Sequence, residues 1–245
     1  MINSIIIMVI MTILGIISSI IGCLIGSVIK TDSNYSLAIF LELTAGIMTG
    51  IVCFDMLPET FKIANIIFSL IGIIIGIFII CIFEKVVYKK DNIKSNNKSI
   101  SYYLMQLIVV LAMSIDNIVE GIAIGSSMAY STSLGFSILF AILIHNIPEG
   151  VVVGITGRLS KKNRIDILKD GVIVGIFLGV GAFVGNIMGN ISHISVAISL
   201  SIASGAMLYI VSCNLIPSSN KISNSKKVYL MYVIGIIIGA FISFI

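Results

Sequence analysis

Charge is scarce in this chain: 11% of its 245 residues are Asp, Glu, Lys or Arg, where a soluble domain carries about 25%. With 58% hydrophobic residues and a mean hydropathy of +1.17, that deficit excludes a water-soluble globular domain and points to an integral membrane protein. No polar stretch is long enough to fold alone, so a single membrane domain over residues 1–245 is expected. Cysteine is limited to Cys23, Cys53, Cys81 and Cys213, scattered through apolar segments without a CxxC pair; they read as small buried hydrophobes. HExxH is absent, which argues against an intramembrane metalloprotease, and so is any Walker motif, which argues against a pump with its own ATPase. The first apolar segment lacks a basic start and an A-x-A-like cleavage site, so it reads as a retained helix.

What the chain has is long apolar runs. A membrane-spanning helix needs about 20 such residues, and eight runs qualify, at about 4–29, 36–57, 63–86, 102–126, 133–157, 168–190, 194–216 and 228–245. Basic residues then alternate from side to side. Fourteen of the 15 fall in the first, third, fifth and seventh connections, and only Lys62 falls on the other side. The positive-inside rule makes those four connections cytoplasmic and sets both termini outside the cell membrane. The net charge of +4 thus reflects topology, and since no aromatic residues interleave with these lysines in a folded module, no nucleic-acid partner is expected. The one lengthy polar stretch, about 87–101, reads as a flexible cytoplasmic loop without histidine.

One six-residue string occurs twice inside the apolar runs. Asp116-Asn117-Ile118-Val119-Glu120-Gly121 recurs 29 residues later as His145-Asn146-Ile147-Pro148-Glu149-Gly150. Four residues separate Asp116 from Glu120 and His145 from Glu149, which on a helix puts each pair on one face, about 6 Å apart along the axis. A second repeat relates Ala45–Glu59 on the second span to Ser204–Ser218 on the seventh, offset by 159. Both repeats join spans that cross in opposite directions, the inverted symmetry typical of secondary transporters. All three prolines of the chain lie in these repeats. Pro148 cannot donate to the Ile144 carbonyl; the residue reads either as a packing kink or as the source of a free carbonyl near the site.

Carboxylates inside a bilayer need a reason. Each costs at least about 2.5–3.5 kcal/mol at the helix centre, so Asp116, Glu120 and Glu149 together would cost on the order of 8–10 kcal/mol facing lipid. Mutual hydrogen bonding, protonation, water or a bound cation would offset this. Three carboxylates, an imidazole and two amides without thiolate suit Zn²⁺, and also Mn²⁺, Fe²⁺, Co²⁺ or Cd²⁺. They suit Mg²⁺ poorly, since it keeps its waters. Divalent metal is therefore the expected substrate and no catalytic cofactor is expected. Asp55 and Glu59, near the outer end of the second span, are entrance candidates for cations; Glu42 lies near its inner end. His193 reads as a solvated loop residue.

HNIPEG in an eight-span chain, with a similar string one helix earlier and Leu57-Pro58-Glu59 closing the second span, resembles the ZIP (Zrt/Irt-like) family of divalent metal transporters, in its prokaryotic form. The resemblance implies an all-α fold with inverted repeats, ATP-independent import of zinc or related ions along a path between the fourth and fifth helices, and a homodimer in the bilayer. It also implies a first metal position at Asp116, Glu120, His145 and Glu149. A neighbouring position would use Asn117, Asn146 and the same two glutamates as bridges. The chain departs from the family pattern at Asp116, where His is usual, and at Val119, where Pro is usual. It departs again at Ala182, where a glutamate often completes the second position, and at Asn214 and Ser218, where acidic residues are common. Rival readings are a proton- or cation-coupled exporter, a channel and, least supported, an intramembrane metalloenzyme.

Overall fold

Inside a bilayer an apolar run must satisfy its backbone within itself, and a helix does this. A computed structural model describes residues 4–29, 33–88 and 98–244, among which there is no strand. The helices are α1 (Ser4–Val28), α2 (Asn34–Ile63), α3 (Ile66–Tyr88), α4 (Lys98–Tyr130), α5 (Thr132–Leu159), α6 (Arg164–Gly189), α7 (His193–Ile222) and α8 (Lys226–Ser243). Seven are long and apolar enough to cross a membrane, and the apolar part of α3 is Ile66–Ile82. Ile67, Phe78 and Phe241 stand outward at 60%, 61% and 68% exposure, a surface that only lipid accommodates without an apolar penalty. The protein is an all-α integral membrane protein.

Short capped turns make the sequential helices antiparallel neighbours. Ser131 alone links α4 to α5, and its hydroxyl accepts from Leu134 N at 3.4 Å. Asn163 caps α6 through Asp166 N at 2.8 Å. Ser192 and Ser195 form a reciprocal capping box at the start of α7, which turns the chain sharply between α6 and α7. His193 is exposed there, its ring edge-on to Tyr130 at 5.0 Å between centroids.

α1, α4, α5 and α6 pack as one group, α2 pairs with α8 and α3 with α7, and α2–α5 and α4–α7 contacts join the whole. Small residues set the closest seams, as expected where helices associate without a hydrophobic driving force. At Gly22 an added Cβ would strike the Ile147 carbonyl and Gly150; at Gly181 it would strike Ile118 and Gly121. Gly22 and Gly181 are 159 positions apart, and Gly121 and Gly150 are 29 apart. The α1–α5 seam is thus repeated as the α6–α4 seam, so the two offsets found in the sequence are one inverted repeat relating α1 to α6, α2 to α7 and α4 to α5.

Two π turns, Val52–Met56 in α2 and Ile210–Leu215 in α7, occupy corresponding places in that repeat. Each precedes a proline. Pro58 and Pro217 cannot donate to the carbonyl four residues back, and their rings crowd it. The wide turn avoids the clash: Leu57 N bonds to Val52 O and Ile216 N to Val211 O. Leu57-Pro58-Glu59 therefore does not close α2, which continues to Ile63, and α7 likewise continues to Ile222. Cys23 is buried as expected, but Cys53 and Cys213 are exposed, each within a π turn. α5 runs unbroken through Pro148. Of the polar loop expected at about 87–101, residues 89–97 lie outside the described residues, and residues 98–101 are already helical.

Candidate metal centre

The one-residue link at Ser131 brings the middle of α4 beside the middle of α5. There the two copies of the six-residue string meet. Asp116, Asn117, Glu120, His145, Asn146 and Glu149 are all buried, none more than 2% exposed. His145 Nε2 lies 2.6 Å from Glu120 Oε1 across the helix pair and 3.8 Å from Glu149 Oε1 on its own helix. One ligand atom from each of Glu120, His145 and Glu149 falls within 4.8 Å of the others. Three ligand atoms this close are a group that could hold a metal ion.

The polar atoms are unequally satisfied. Asn146 Nδ2 donates to Asn117 Oδ1 at 3.2 Å, and Asn117 Nδ2 donates to the Met113 carbonyl at 3.0 Å. The Asp116 and Glu149 carboxyl groups lie within hydrogen-bonding reach of each other, and His145 within reach of the Ala141 carbonyl, but no donor of another residue reaches the Asp116 or Glu149 oxygens. Asp116 lies outside the three-residue cluster, yet Glu120, His145 and Glu149 are its electrostatic neighbours. Asp116 and Glu149 face each other, and as carboxylates they only accept, so neither satisfies the other without a shared proton or a cation. Burying carboxyl groups with so few donors is costly unless they share a proton or a cation, and carboxylate with imidazole is a ligand set that divalent transition metals accept.

Residues 88–244, more than half of the chain, match the family model for the ZIP zinc transporter. The chain belongs to that family. Comparison with curated proteins gives no match. The matched segment runs from the end of α3 to α8 and contains all six residues of the buried cluster. As a ZIP family member the protein is a multi-pass divalent-metal transporter.

The entrance candidates are not drawn into the cluster. Asp55 lies in the π turn of α2, half-buried, with Oδ2 lacking a hydrogen-bond partner. Glu59 pairs with exposed Lys62 at 3.1 Å. Glu42 is buried, with Oε1 lacking a hydrogen-bond partner and Ser219 bonded to its carboxyl group.

A second polar network escaped the sequence reading. Gln106 on α4 donates to Asp170 Oδ2 on α6 at 2.7 Å, and Lys162 in the α5–α6 turn reaches both Asp170 oxygens at 3.0 and 2.7 Å. Thr156 on α5 completes it with a short hydrogen bond to Gln106 Oε1. This network ties three helices of one group together toward the opposite end from Ser131. A lone glutamine in the apolar start of α4 and an aspartate entering the apolar run of α6 were the available signals.

Proposed function

We propose that the protein carries divalent transition-metal ions, zinc foremost, into the cytoplasm without ATP, using Asp116, Glu120, His145 and Glu149 at mid-membrane. The observation that carries this reading is the buried Glu120–His145–Glu149 cluster, with Asp116 beside Glu149, built from two opposed helices of a ZIP family chain. Mixed carboxylate and imidazole ligation holds a borderline ion firmly enough to select it and loosely enough to release it. Asn117 and Asn146 serve as a neighbouring amide position. Asp55 and Glu59 draw cations to the outer side, and the basic connections keep to the cytoplasm. The working unit is a homodimer in the cell membrane, with both termini outside. The decisive measurement is metal accumulation in cells depleted of their own importers. Expression should raise zinc content; a fall in zinc content would instead establish export.

A further inference from the structure

The offset of 29 that carries α4 onto α5 relates Glu120 to Glu149 and Asn117 to Asn146 residue for residue, but it relates Asp116 to His145. The two cross-helix pairs at the centre are therefore chemically unequal. One pair is Glu120 with His145, a carboxylate and an imidazole joined at 2.6 Å. The other is Asp116 with Glu149, two carboxyl groups in residues only 1% and 2% exposed, which lie within hydrogen-bonding reach of each other and of no other donor.

This asymmetry bears on which ion is held. An imidazole suits zinc, whereas carboxylate oxygens are the ligands that harder ions such as Mn²⁺ accept. The added negative charge attracts both divalent ions, but exchanging a nitrogen ligand for oxygen removes more of the advantage of zinc than of Mn²⁺. With Asp116 present, three carboxylates surround the cargo; with a neutral group there, two would remain.

We infer that Asp116 sets the metal preference of this transporter: it makes one half of the site all-oxygen and so admits Mn²⁺ alongside Zn²⁺, where an imidazole at the same position narrows the site to zinc. The inference rests on reading the mid-membrane cluster as the transport site. Asp116 acts here as a specificity-determining ligand, and Glu120, His145 and Glu149 provide the affinity common to both ions.

The test is equilibrium binding of Mn²⁺ and of Zn²⁺, each alone and in competition, to purified full-length protein as wild type, Asp116→His and Asp116→Asn. Wild type should bind both ions. Asp116→His should keep zinc and lose Mn²⁺ relative to zinc by about tenfold or more, since even an indirect change at a metal site shifts affinity by that much. Asp116→Asn, which keeps an oxygen but removes the charge, should fall between. A Mn²⁺-to-Zn²⁺ ratio unchanged in both variants overturns the role of Asp116 while leaving the transport site intact, as does a wild type that binds zinc but no Mn²⁺. If Asp116→His does not fold, the ratio in Asp116→Asn decides alone. Folded wild type that binds neither ion overturns the transport-site reading as well.

Discussion

His145 Nε2 and Glu120 Oε1 lie 2.6 Å apart across the α4–α5 seam, a contact that holds one proton between the imidazole and the carboxyl group. A metal that binds between these atoms takes the proton's place. Ion binding and proton release are thereby linked at one pair of atoms.

Zinc binding should therefore release protons and weaken as pH falls from about 7 to 5, the interval in which imidazoles commonly gain charge. Low pH stabilises the protonated, metal-free form, so affinity drops on the acid side. Calorimetry in buffers of different ionisation enthalpy measures the released protons directly. Affinity that stays flat over this interval would remove His145 from the ligand set.

His145→Ala and Glu149→Ala should each abolish most zinc uptake while protein continues to reach the membrane. Either change removes a member of the three-residue cluster. Uptake normalised to the amount of inserted protein is the measure, and wild-type rates in a correctly inserted variant would contradict the assignment.

One metal per chain should be held tightly. Asn117 Oδ1 already accepts from Asn146 at 3.2 Å, and two divalent ions side by side would set four positive charges against three carboxylates. Anomalous scattering from a metal-soaked crystal should give one strong peak near Glu120, His145 and Glu149. Two fully occupied peaks bridged by Glu120 and Glu149 would show that the amide position binds as well.

How much of this was legible in the residues differs from feature to feature. Spacing of four and offset of 29 were enough to put Asp116 with Glu120 and His145 with Glu149 on one face of each of two adjacent helices, because helical periodicity and a short link leave little freedom. The same information did not show that Asp116 lies outside the tight cluster, which depends on side-chain directions at a packed seam. The π turns were hidden for a related reason. A proline in a helix signals a local problem but not its solution, and whether α2 stops at Pro58 or widens ahead of it is decided by the packing beyond. The Gln106–Asp170–Lys162 network joins residues from three segments, and no local pattern links them.

Lys162→Met should lower thermal stability by on the order of 1–3 kcal/mol, between the values for exposed and fully buried ion pairs. Asp170, a largely buried carboxylate, would keep only its hydrogen bond from Gln106. Zinc affinity should be unchanged, since the network contains no cluster residue. Unfolding in detergent, followed with and without zinc, separates the two effects; an affinity loss without a stability loss would place Lys162 in the transport path instead.

Gly26→Leu should cost more. A Cβ there already meets the Val151 carbonyl and Gly154, so a leucine forces α1 away from α5, and overpacking of this kind costs about 1–3 kcal/mol or more. The expected result is a sharp fall in folded yield, and normal yield with normal melting would mean that the seam is looser than the backbone distances imply.

The single-residue link at Ser131 also bears on how the protein is made. All six polar residues of the centre lie on one helical hairpin, Lys98–Leu159. As the chain emerges from the ribosome, α4 alone would present two carboxylates to lipid, at about 2.5–3.5 kcal/mol each. If α5 follows into the bilayer as part of the same hairpin, His145 reaches Glu120 before either helix has another neighbour. The order of synthesis then favours delivery of the hairpin as one unit, with its charged residues already turned toward each other.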